Sequence, residues 1–463
     1  MRCSVCGAAV GEAASACVRA RLAACARRLD DWLARGSRGL AWAGLVGAIA
    51  WALLGTADLQ YGGPEYYRKE MAIREDMYRI YTAASRATWR DAARWWVGPW
   101  IYTGVGYYRP VTSMLFFAEQ RLFDRRFNSY NRVTWVVHGL NAGLVYLLTL
   151  SLLHRRRRLR VLLGLLAAAA FTDVRGPFGF AIPAVLQWWP AQNDPLSAMF
   201  GLACLVLLDQ HLRTRRPQWL AWSVVALAAA IGAKEMGHAA AAMAVLLIWR
   251  RRGRPAPAMA PFVLTSMGLY LLRLAVVPNP WMLYPTWRMV RSKILVHWLD
   301  PIGMQAVRGE WWPGVAAALV VGVFALGLRR RWPWRVVAPA CAAAAGLSAQ
   351  ALGGEGGWAL LLVPGGIGAF WGDLMLFASL ALLWTCRRKE PAGPVLAFYL
   401  LAFAPILGVI GTYYYYWAAA FHAILVAVVA ACGVDLAREA CAARWGAGPW
   451  SGSEQIEGGA ASS

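Results

Sequence analysis

Long apolar runs alternate with short arginine clusters along the whole chain, and this alternation sets the expected architecture. The apolar runs fall near 40–57, 132–153, 161–186, 195–212, 218–234, 236–249, 259–277, 313–328, 336–352, 358–384, 395–411 and 418–434. Each is measured against the roughly 20 residues needed to cross the hydrocarbon core, which gives about 12 spans. Arginine clusters at 155–158, 213–216, 250–254, 329–335 and 387–389 each follow an apolar run. Positive residues stay on the cytoplasmic side, so an outward loop falls between consecutive clusters. An even count of spans puts both termini in the cytoplasm. The predicted fold class is all-α, a polytopic transmembrane helical protein with two structured outward loops carrying interfacial helices.

Composition supports the same class. Hydrophobic residues make up 59% and charged residues 15%, proportions a soluble domain rarely shows. The net charge of +23 raises nucleic acid as a partner, but the basic residues sit in short groups beside apolar runs. That arrangement suits anionic lipid headgroups and excludes a continuous nucleic-acid stripe. Pro177 and Pro183 interrupt the third run, and Pro364-Gly365-Gly366 the tenth, so a broken or re-entrant helix is expected at both.

The first apolar run reads as an uncleaved anchor, because Cys3, Cys6 and Cys17 precede the basic segment before it. Segment 1–38 opens like a small zinc ribbon, with the Cys3-x-x-Cys6 knuckle followed by Cys17. Such ribbons use four thiolates. Ala20 stands at the fourth position, which makes the ribbon degenerate, with Cys3, Cys6 and Cys17 as candidate zinc ligands. Residues 39–434 form the membrane domain, and 435–463 a cytoplasmic tail that is expected to be disordered at its end.

Two outward loops are long enough to build a site, at about 58–132 and 278–312. Acidic residues in the first include Glu65, Glu70, Glu75, Asp76 and Asp91, and in the second Asp300 and Glu310. Residues 66–96 read as an amphipathic helix at the membrane surface, with Tyr67, Met71, Tyr78, Tyr81 and Trp89 near helical spacing. Lys234 and Glu235 lie between two apolar runs, where ionisable residues need a partner or a cavity. Their adjacency argues against pairing with each other. Asp194, at the outer end of the fourth run, is available to position Lys234 or Arg273.

Several short segments, in order, carry a resemblance. Tyr107-Tyr108-Arg109-Pro110-Val111-Thr112 is followed by Trp188, Gln192-Asn193-Asp194 and Phe200, then Lys234-Glu235-Met236, Leu271-Leu272-Arg273, and finally Pro405 with Tyr413 to Tyr416. The series resembles the polytopic glycosyltransferases of the C superfamily, in particular the bacterial group related to tetratricopeptide-linked O-mannosyltransferases and lipid A aminoarabinose transferases. It extends over roughly residues 40–434.

The resemblance implies inverting transfer of a sugar from a polyprenyl-phosphate-linked donor to an acceptor at the outer face of a bacterial inner membrane. A carboxylate of the first loop takes the acceptor proton, and cations steady the departing lipid phosphate. Glu75-Asp76, upstream of Trp89, Trp95 and Trp96, fits the acidic pair best, with Asp76 as base, Glu75 supporting it, and Asp58 as competitor. Arg109, Lys234 and Arg273 are the phosphate-binding candidates, with Asp194 and Glu235 in support. Use of a divalent cation is left open. Two departures stand out: Gln192-Asn193 replaces the family's Gly-Arg, and Thr412-Tyr413 replaces its Arg-Tyr. They keep open an alternative in which the chain is a non-catalytic scaffold or accessory subunit of a membrane complex.

Overall fold

A computed structural model describes residues 37–60, 75–101, 106–154, 159–174, 181–253, 256–277, 392–403 and 415–445. Among them the chain is helical throughout and no strand forms. We number the helices α1 (Ser37–Gly55), α2 (Glu75–Arg86), α3 (Trp89–Arg94), α4 (Pro110–Phe123), α5 (Phe127–Leu152), α6 (Arg160–Thr172), α7 (Ala181–Leu186), α8 (Asn193–Thr214), α9 (Pro217–Ala233), α10 (His238–Arg252), α11 (Ala260–Val276), α12 (Ala392–Phe403) and α13 (Tyr416–Trp445).

Among the described residues, three segments are long and apolar enough to cross a membrane: Phe127–Leu152, Trp189–Thr214 and Pro257–Val276. Shorter apolar helices accompany them at Gly39–Gly55, Arg160–Thr172, Pro217–Ala233, Gly393–Ala402 and Tyr416–Cys432. Their outward faces are apolar rather than charged. Trp42, Val46, Trp51 and Leu54 of α1, Trp222 and Val225 of α9, and Leu264 and Leu271 of α11 are all exposed, as expected for helices solvated by lipid. The predicted spans at 313–328, 336–352 and 358–384 lie outside the described residues, as do the loop at 278–312 and Cys3, Cys6 and Cys17.

Small residues set the helix contacts, as they do where lipid tails compete equally for apolar surface. Gly139 and Gly143, spaced four apart on α5, admit Leu53 and Ile49 of α1; a Cβ at either position would come within 2.7 and 2.9 Å of those side chains. Tyr146 sits between Gly44 and Gly164 and donates its hydroxyl to Ala41 O at 3.0 Å. Gly201 of α8 receives the Trp417 ring of α13. Buried polar groups satisfy one another between helices: Ser197 donates to Ala230 O, Ser223 to Cys204 O, and Asn141 to Pro195 O.

Several expected boundaries shift. The helix expected over 66–96 is two helices where it is described. Thr88 ends the first and caps the second through Asp91 in a capping box. The inward face of α2 is Met77, Ile80 and Ala84, while Tyr78 is exposed. Apolar and aromatic residues occupy both faces there, so spacing alone left the inward side ambiguous by one residue. The last helix also runs past 434 without a break to Trp445, so the tail begins helical.

Candidate functional site

The turn between α9 and α10 places the first two candidates. Helix α9 stops at Ala233, and Lys234 takes an extended conformation (φ −161°, ψ 150°) while its N–H still donates to Ala230 O at 3.1 Å. A single 3₁₀ turn, Glu235–Gly237, then leads into α10. Gly237 makes this geometry accessible, because a Cβ there would lie 2.4 Å from the backbone of Ala230 and Ile231. Two adjacent ionisable side chains thus leave a helix break in different directions, and each finds a separate partner.

Lys234 Nζ lies 2.6 and 2.5 Å from the two carboxylate oxygens of Asp194, in the first turn of α8. The positive end of that helix further favours the carboxylate. Lys234 is 1% and Asp194 0% exposed, so the pair is closed to solvent. Glu235 turns instead to Arg109, whose Nε and Nη2 both donate to its Oε2, at 3.1 and 2.7 Å. Glu235 Oε1 is buried and accepts no hydrogen bond.

Arg109 is held from several sides. Pro110 starts α4 immediately after it, fixing the N-terminal backbone of the helix. Its guanidinium lies 3.9 Å from the Tyr107 ring centroid and 5.2 Å from that of Trp100, within cation–π range. Thr112, one turn on, donates to Ala233 O at 2.8 Å and ties α4 to the end of α9. Arg273, near the end of α11, donates to Gly106 O at 3.4 Å.

The Tyr-Arg-Pro, Gln-Asn-Asp and Lys-Glu-Met segments, separated by 121 residues from Thr112 to Ala233 and 40 from Asp194 to Lys234, therefore meet in one buried cluster, with Arg273 at its border. Among the described residues, the first-loop acids Asp58 and Asp91 make no ion pair with this cluster. Asp58 is exposed in the 3₁₀ turn Ala57–Gln60 after α1. Glu75 and Asp76 form the first turn of α2, and their side chains lie outside the described residues. Helix α2 itself packs on α4 and on the 3₁₀ turn Trp189–Gln192 that precedes Asp194.

A second polar group extends the cluster and was not apparent in the sequence. Gln192 donates to Glu119 Oε2 at 2.6 Å and accepts from Thr134 at 3.1 Å. Glu119 is 2% exposed, and burial pushes its carboxyl well above the usual carboxylate range, with the Gln192 hydrogen bond opposing the shift. The available signal was a glutamate one turn after Phe116 on a helix flanked by aromatics. Nearer the surface, the Tyr81 hydroxyl donates to Asp124 at 2.6 Å and lowers its carboxyl. Deeper between the helices, His138 Nδ1 meets the Tyr416 hydroxyl at 2.8 Å, and Asn141 also reaches that hydroxyl. The opposite end of the bundle is held by Asp209, which contacts Arg213 and, at 3.1 Å, Arg251.

Among the described residues no group of three or more His, Cys, Asp and Glu side chains is arranged to hold a metal ion. Comparisons with family models, curated proteins and solved structures find no match to this chain.

Proposed function

We propose that the chain is a membrane glycosyltransferase that moves a sugar from a polyprenyl-phosphate-linked donor to an acceptor on the outer face of the membrane, within a bundle of about 12 spans. The observation that carries this reading is the convergence of its separate motif segments: Arg109 on Glu235, Lys234 on Asp194, and Gln192 on Glu119. Ionisable residues are costly at membrane depth and concentrate where a polar substrate is handled. In this reading Asp76 is the base, Glu75 supports it, and Asp58 is the alternative acid. Arg109 and Lys234 are oriented by their carboxylates, and together with Arg273 at the border of the cluster they are the phosphate-binding candidates. The acceptor is a hydroxyl compound reached from the outward loops.

One observation favours a second reading, a non-catalytic scaffold or accessory subunit. Arg109 and Lys234 are each already engaged by a carboxylate, as expected of charges that tie helices together. Release of sugar from a labelled polyprenyl-phosphate donor by membranes with and without the full chain distinguishes the two. Chain-dependent release supports the transferase; its absence, with the protein folded and inserted, supports the scaffold.

A further inference from the structure

Three helices end on the side of the bundle opposite the charged cluster: α5 at Leu152, α8 at Thr214 and α10 at Arg252. One buried carboxylate ties these ends together. Asp209 contacts Arg213 on its own helix and Arg251 of α10 at 3.1 Å, Arg213 donates to Ser151 O of α5 at 2.6 Å, and Arg251 Nη1 lies 3.3 Å from His154 Nε2. No other acidic residue occurs in 125–172, 195–234 or 236–299. The single negative charge is thus taken up within the tie, while Arg215, Arg216, Arg250 and Arg252 stand exposed around it. Helix α8 closes on Arg215 (φ 61°) and α10 on Gly253 (φ 70°). The carbonyl ends of these helices each carry about half a negative charge, which four arginines outweigh. Trp249, beside Arg250, and Trp222 and Val225 on α9 are exposed. Tryptophan gathers where headgroups meet hydrocarbon, so the arginines lie at headgroup level on lipid-facing helices.

We infer that this end of α8, α9 and α10 binds the phosphate of a two-chain anionic glycerophospholipid from the adjoining leaflet. Such a lipid brings its phosphate to the depth of the arginines while its acyl chains cover the apolar faces of α9 and α10, which a soluble anion cannot do. Guanidinium groups offer phosphate oxygens paired, charge-assisted hydrogen bonds. Asp209 holds Arg213 and Arg251 in place, so the exposed arginines project from a fixed base formed by three helices. The site lies at the far end of the bundle from Lys234 and Arg109, and its occupation is independent of sugar transfer.

Native mass spectrometry of the full chain in detergent, titrated with phosphatidylglycerol or phosphatidylcholine, tests this. Each arginine beside an anionic headgroup contributes about fivefold in affinity, so wild type should favour phosphatidylglycerol by roughly tenfold or more. Arg215→Gln, Arg216→Gln and Arg252→Gln together should remove that preference; all three positions are exposed, and Asp209 keeps both of its arginines. Arg86→Gln with Arg90→Gln, at exposed positions on α2 and α3, should leave it intact. Equal binding of the two lipids by wild type, a preference kept by the triple variant, or an equal loss in the α2–α3 variant overturns the inference. Displacement of phosphatidylglycerol by inorganic phosphate at constant ionic strength also overturns it, because the site would then take a free anion.

Discussion

Lys234 Nζ and the Asp194 carboxylate face each other at 2.6 and 2.5 Å with no access to solvent, joining the break between α9 and α10 to the first turn of α8. Removing one partner strands a charge in a low-dielectric interior. Lys234→Ala or Asp194→Asn is therefore expected to destabilise the protein by about 3–5 kcal/mol. Lys234→Met combined with Asp194→Leu should recover much of that loss. Thermal unfolding in detergent, followed by tryptophan fluorescence, measures all three variants; equal loss in the double and single variants would contradict a paired role.

Gly237 determines whether the same break can form. A Cβ 2.4 Å from the backbone of Ala230 and Ile231 has no flexible neighbour to displace. Gly237→Ala should cost about 1–3 kcal/mol, the range for overpacked sites. It should also reduce Arg109–Glu235 coupling in a double-mutant cycle, because the turn that carries Glu235 must shift.

Glu119 gives a contrasting expectation. Its carboxyl is raised by burial, so the protonated form prevails well above the usual carboxylate range. Glu119→Gln copies that neutral form and should leave the melting temperature nearly unchanged. Glu119→Ala leaves the Gln192 amide without its acceptor, at a cost of about 1–3 kcal/mol. A large loss in Glu119→Gln would mean that the ionised form is the one held.

At the other end of the bundle, His154 lies beyond the end of α5 and beside Arg251. Burial, then Arg213 and Arg251, lower its pKa, while the Ser151 carbonyl and Asp209 oppose the shift. On acidification the unfolded chain takes up a proton near the ordinary value of about 6.5 before the folded chain does. This group's stability contribution is therefore present above that pH and is lost as pH falls below it. Unfolding midpoints from pH 8 to 5 should show a decline that His154→Gln reduces.

The apolar runs made the all-helical architecture and its three segments able to cross a membrane legible, because that signal is local. The break at Lys234 was legible for the same reason, since two ionisable residues interrupt an apolar stretch. Asp194 was legible as a partner for Lys234 or Arg273, and it pairs with Lys234; the Arg109 partner of Glu235, 126 residues away, was not legible because that pairing depends on helix packing. Glu119 was passed over because a single acid between aromatics on α4 looks like an ordinary surface charge until Gln192 is seen against it. The buried face of α2, Met77, Ile80 and Ala84, was not singled out because apolar and aromatic residues follow both faces of that helix.

Turnover of a labelled polyprenyl-phosphate sugar by proteoliposomes holding the full chain, with Asp76→Asn and Asp58→Asn compared to wild type, tests the central claim most directly. The account predicts wild-type turnover, and a fall of roughly 10²-fold or more in Asp76→Asn with donor binding kept, as loss of a general base requires. Full activity in Asp76→Asn with none in Asp58→Asn would move the base to Asp58. Absence of turnover and of donor binding by the folded wild-type protein would contradict the transferase account.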